Sequence, residues 1–120
     1  MAILVTAKPK GTTPTGFSLI RVSADTAGGI AYIPMSGMYA AGIQNKMTFH
    51  AIGSSVIKYA MTLADEVLAT NPDATVQAGV PWTPDVTLTN GEMTREPDEF
   101  LATALRVDIS GAGELYIAII

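Results

Sequence analysis

Hydrophobic and polar residues alternate with a period of two over much of this chain, the pattern of strands with one buried face. Phe17, Leu19 and Arg21 alternate with Ser18, Ile20 and Val22. Ile30, Tyr32 and Ile33 follow, and Pro34 stops that run. Met47, Phe49 and Ala51 alternate with Thr48, His50 and Ile52. Ile57, Tyr59, Met61 and Leu63 alternate with Val56, Lys58, Ala60 and Thr62. Shorter alternation runs over 85–89, and the C-terminal part predicts strands over 101–109 and 114–120. In the last of these Leu115, Ile117 and Ile119 share one face, and Tyr116, Ala118 and Ile120 the other. A strand apolar on both faces belongs in the middle of a sandwich or at an interface.

Turn residues punctuate these runs. Gly53-Ser54-Ser55 predicts a tight hairpin between its neighbours, and Ser110-Gly111-Ala112-Gly113 predicts a second one at the C-terminus. Asn90-Gly91 is a strong turn signal. Leu63–Thr70 reads as a short connector helix with Asp65 and Glu66 near its first turn, closed by Asn71-Pro72-Asp73. The stretch 79–84 is too proline-rich for a central strand, and 92–99 reads as an acidic loop. Residues 34–45, rich in Gly, Met and Ala, read as a loop and a candidate contact surface. The fold expected is all-β, an antiparallel β-sandwich of jelly-roll type with one connector helix. Residues 1–16 form an extended N-terminal arm on this reading, and 17–120 a single domain. The arm is either a frayed terminus or a segment that docks on a neighbour through Ala2, Ile3, Leu4 and Val5, with Lys8 and Lys10 facing an acidic surface.

Composition narrows the function classes. The chain has 120 residues, 48% apolar and 15% charged, with a net charge of −4. Its mean hydropathy is +0.33. A soluble surface ordinarily carries about 25–35% charged residues, so part of this surface is expected to be covered by a partner or by further copies. Seven Lys and Arg make no basic stripe for nucleic acid. No apolar run approaches the roughly 18–20 residues of a membrane span, and no secretory signal is read at the start. There is no Cys, which excludes thiol catalysis and cysteine metal sites.

No constellation stands out as catalytic. His50 is the single histidine, without an acid or nucleophile at motif spacing. Glu92, Glu96, Asp98 and Glu99 lack the order of a calcium loop. No G-x-S-x-G, phosphate loop or H-E-x-x-H occurs. No cofactor or metal is called for, and a non-enzyme is expected. Trp82, between Pro81 and Pro84, is either a plug closing one end of the sandwich or an interface anchor. Met35 and Met38 are contact candidates within the low-charge loop.

The segment KYAMTLADEVLATNPDATVQAGVPWTPDVTLTNGEM, the ending LATALRVDISGAGELYIAII and the N-terminal MAILVTAKPKGTTPTG together resemble head-decoration proteins of tailed bacteriophages. The resemblance implies a non-enzymatic cement protein of the virion, made in the bacterial host cytoplasm. It implies the major capsid protein as partner, and a homotrimer or other homo-oligomer. Another virion role, in tail, neck or fibre base, and a carbohydrate- or ligand-binding β-sandwich module are the alternatives.

Overall fold

The computed structural model describes residues 3–9, 17–39, 46–53, 55–96 and 101–119. Nine strands make two antiparallel sheets packed face to face. The five-stranded sheet has the order β1 (Ile3–Lys8), β2 (Ser18–Ala24), β9 (Gly113–Ile119), β4 (Met47–Ile52), β7 (Met93–Arg95). The four-stranded sheet has the order β3 (Gly29–Pro34), β8 (Ala104–Ile109), β5 (Ile57–Thr62), β6 (Val86–Leu88). The β-sandwich of jelly-roll type expected from the alternation is the fold observed.

From β2 onward, apart from β5 to β6, each strand is followed by one in the opposite sheet. This corrects both predicted hairpins. The chain crosses the sandwich from β4 to β5, with Gly53 and Ser55 between them, and from β8 to β9 through an arch at Ser110–Ala112. The two crossings brace each other. Ser55 Oγ donates to the Ala112 carbonyl at 2.8 Å, and the Val56 amide donates to Ser110 Oγ at 3.0 Å. The Gly53 amide donates to Asn90 Oδ1 at 3.0 Å, which ties the β6–β7 turn to the same end. Gly53 has φ +117°, and a Cβ there would stand 2.8 Å from the Gly113 Cα, so glycine is required by both backbone angle and space.

The core lies between the sheets. Ile20, Val22, Phe49, Leu115 and Ile117 meet Ile57, Tyr59, Leu105, Val107 and Ile109, all essentially without solvent exposure. The rings of Phe49 and Tyr59 stack at 3.7 Å between centroids and 10° between planes, joining one sheet to the other. The Tyr59 hydroxyl donates to Glu96 Oε1 at 2.7 Å. Burial, then that hydrogen bond, pushes the phenol well above its ordinary range. β9 is central, between β2 and β4, as its two apolar faces require.

Three further expectations are corrected. Ile3–Lys8 is not part of a separate arm but a strand paired along its length with β2; residues 10–16 lie outside the described residues. The single connector helix is replaced by two short ones, α1 (Glu66–Ala69) and α2 (Ala74–Gln77), capped by the side chains of Asp65 and Asp73. Met93–Arg95, read as loop, is the edge strand β7.

Candidate functional site: a groove on the outer face of one sheet

The two outer faces of the sandwich differ. The connection 63–85, with both helices, folds back over the four-stranded sheet. Ala60, Thr62 and Ala104 point away from the core on that sheet, yet each is buried. Trp82 belongs to this cover. Its Nε1 donates to Gln77 Oε1 at 2.9 Å, its ring lies 6.2 Å from that of Tyr32, and the Arg106 guanidinium sits 5.1 Å from its centroid. Arg106 is also paired with Asp85 at 3.0 Å. Trp82 is thus half-buried against its own chain.

The outer face of the five-stranded sheet has no such cover among the described residues. The register of the strands sets two rows of side chains across it. One row runs Thr6, Arg21, Tyr116, His50, Met93. The next runs Lys8, Leu19, Ala118, Thr48, Arg95. Ala118 is small and stands beside the taller Tyr116, so the surface dips there. The result is a groove of about 470 Å³ lined by Thr6, Lys8, Leu19, Arg21, Thr48, His50, Met93, Tyr116 and Ala118. Leu19 and Tyr116 are more than a third exposed and Met93 is 64% exposed.

A single carboxylate, Glu114, stands among the described strand residues of this face, and its oxygens are engaged. Arg21 Nη2 donates to Oε1 in an ion pair, and the Tyr116 hydroxyl donates to Oε2 at 2.7 Å. The Tyr116 hydrogen bond, then Arg21, holds the Glu114 carboxyl below its ordinary range, and Tyr116, then Glu114, raises the Arg21 guanidinium further. The trio fixes the phenol at one wall of the groove. Lys8 and Arg95 have no ion-pair partner among the described residues.

The space between the sheets offers no comparable site. Packed rings fill it, His50 points the other way, and the described residues contain no group of three or more His, Cys, Asp or Glu able to hold a metal. The residues present do not fit a metal between the sheets. A second hollow of about 460 Å³, beside Met61–Ala64, Pro81 and Thr83, carries no charged side chain.

The sequence-predicted contact residues fare differently. Met35 and Met38 are 0% and 3% exposed, inside the core, because the turn after β3 folds them inward. They form no surface, which corrects that expectation. Ile3, Leu4 and Val5 sit on β1, with Leu4 55% and Val5 37% exposed. Lys8 lines the groove; Trp82 is on the opposite sheet. Ala2 and Lys10 lie outside the described residues. Sequence reasoning missed Arg21, Tyr116, Ala118 and Met93 as a group. The available signal was that several outward positions of these strands, Leu19, Tyr116, Ala118 and Met93, are apolar or aromatic where a solvated face would be polar.

No protein-family model matches the chain, and no curated protein matches it in sequence. Solved structures do match in fold. An RmlC-like cupin protein from Desulfovibrio desulfuricans superposes with a TM-score of 0.51 at 9% identity, covering 98% of this chain and 81% of its own. The likeness to this cupin protein is one of fold. Peruvianin-I, a cysteine peptidase from Thevetia peruviana latex, superposes with a TM-score of 0.52 at 13% identity. That match covers 98% of this chain and 61% of Peruvianin-I. Recombinant oxalate oxidase in complex with glycolate gives 0.48 at 14% identity, covering 98% and 49%.

These findings overturn the resemblance to phage head-decoration proteins, and with it the virion localisation and the cement role. The likeness in fold is to an RmlC-like cupin protein and to Peruvianin-I, neither of which is named as a virion protein. The capsid partner thereby loses the resemblance that implied it. The expectation of a non-enzyme is withdrawn too. It rested on that resemblance and on missing motifs, whereas a cysteine peptidase shares this fold. The signature of the decoration proteins was drawn from strand-and-turn composition, which any jelly roll supplies.

Proposed function

We propose that this chain is a small-molecule-binding β-sandwich module whose ligand lies in the groove on the outer face of the five-stranded sheet. The observation that carries the reading is the groove itself. At about 470 Å³ it falls within the size range of small-ligand sites, about 300–1,000 Å³, and it combines an apolar floor with a few polar groups at its walls. The opposite outer face, by contrast, is covered over Ala60, Thr62 and Ala104 by the chain's own connection, and the hollow left beside Lys58 and Asp108 is smaller, at about 300 Å³.

The test is a titration of isotope-labelled protein with a panel of sugars and small organic acids, followed by amide NMR shifts. Saturable shifts confined to residues 19–21, 48–50 and 116–118 are expected, and Ala118→Phe, which fills the floor, should abolish them. A panel that leaves these amides unmoved, or shifts that persist in Ala118→Phe, would refute the reading.

A second reading is self-association along β1. It is favoured by an edge strand of six residues, ILVTAK, without Pro or Gly, five of whose residues are exposed. Antiparallel pairing about a two-fold axis normal to the sheet keeps outward residues opposite outward ones. Sedimentation of the protein beside Val5→Lys tests it: a dimer lost in the variant supports the pairing, and a monomer in both removes it.

A further inference from the structure

The charges around the groove say more than its volume. The chain as a whole is acidic, at −4. Yet the face that holds the groove presents Lys8, Arg21 and Arg95 in its two rows, with His50 between. Its one strand carboxylate, Glu114, already accepts from Arg21 and from Tyr116. Both its oxygens are engaged, and the Arg21 charge offsets its own. Lys8 stands directly across from Leu19, and Leu19 across from Ala118. A cation therefore stands at the end of an apolar floor, about 10 Å long over three strands at the usual spacing.

We infer that the groove takes a small organic carboxylate, its charge held by Lys8 and its apolar body laid over Leu19 and Ala118 against the Tyr116 ring. This rests on the groove being the ligand site. The Arg21–Glu114 pair serves to position Tyr116 and adds little net charge of its own. Lys8 carries the discrimination, because among the described residues it has no ion-pair partner to surrender. An ammonium at the rim of an open groove remains partly solvated, so the preference it gives is modest and is screened by salt.

The experiment compares phenylacetate with phenylacetamide, which has the same body without the charge, on the full chain by amide shift titration. Phenylacetate is expected to bind roughly threefold to fivefold tighter, the size of an exposed ion pair. Lys8→Met should bring the two ligands level by weakening phenylacetate alone, and added salt should do the same. Lys8 is exposed on an edge strand, so the variant is expected to fold. Equal affinities in the unaltered protein overturn the carboxylate, and a preference that survives Lys8→Met overturns Lys8 as the group that holds it, while either leaves the groove as a site. If neither compound moves the groove amides, the inference fails, and the sugar arm of the wider panel decides whether the groove reading fails with it.

Discussion

Replacing Phe49 by alanine tests the division of labour between the interior and the outer face. Phe49 is fully buried, and its ring is stacked at 3.7 Å on Tyr59 from the opposite sheet. Removing the ring takes away apolar burial, leaves a hole between two sheets that are each held by backbone hydrogen bonds, and ends the stacking. Truncations of this kind cost about 3–5 kcal/mol, of which the ring pair supplies about 0.5–1.5 kcal/mol. That is a large share of the roughly 5–15 kcal/mol by which a domain of this kind is stable. At about 4 °C per kcal/mol for a chain of intermediate length, Tm should fall by roughly 12–20 °C. Calorimetry gives the shift, and a urea titration with an unchanged slope would show that stability rather than compactness has altered. Thr48 and His50, next to Phe49 in β4, face the groove, so phenylacetate binding to folded Phe49→Ala should be unchanged. A loss below about 1 kcal/mol would refute the packing argument. Binding that disappears from a folded variant would place the ligand between the sheets instead.

Three further outcomes follow from local geometry. Gly53→Ala should cost about 2–5 kcal/mol, combining a positive φ with a clash against the Gly113 backbone, whereas Gly91→Ala, at φ +83° with nothing within 4 Å, should cost only about 1–2 kcal/mol; equal losses in thermal melts would remove the steric part of the argument. Asp73→Ala should cost about 1 kcal/mol by uncapping the amides of Thr75 and Val76, with Asp73→Asn recovering most of it in denaturant titrations. Because the folded Glu114 carboxyl is held below its ordinary range, its contribution to stability is present above that range and is lost as pH falls through its own lowered value. An NMR titration of its side-chain carbon should show the depressed midpoint, returning toward normal in Tyr116→Phe; a normal midpoint in the unaltered protein would refute the trio.

Most of the strands were legible because alternation is a local signal. The run at 47–52 is β4, and the run at 56–63 is β5 with one residue to spare at each end. What alternation cannot convey is which sheet a strand joins. Turn composition at 53–55 and 110–113 marks where strands end, but the strands on either side lie in opposite sheets. The deciding facts are contacts far apart in sequence, such as Ser55 with Ala112 and Gly53 with Asn90. β7 was hidden for a related reason. Met93–Arg95 has no alternation of its own among acidic neighbours and becomes a strand only because β4 offers an unpaired edge. α2 was hidden by the proline-rich sequence after it, although Asp73 at its cap was a usable signal. Met35 and Met38 were placed outside on low local charge, but a turn of few charges can equally be one that tucks its side chains in.

The candidate site was the least legible part, since its side chains come from β1, β2, β4, β7 and β9 and meet only through the strand order. Once that order is known, the informative feature is a departure from expectation. A sheet with one face on the core normally alternates apolar-in and polar-out. β9 does not: Tyr116 and Ala118 point outward beside Leu19 of β2, and Met93 stands at the end of their row. The four-stranded sheet has the same problem at Ala60 and Ala104 and solves it internally, by laying the 63–85 connection over them. No equivalent segment covers the five-stranded face among the described residues. Exposed apolar surface of this kind marks a place where something binds. The basic rim and the engaged Glu114 are the grounds on which we infer an anion with an apolar body as its occupant.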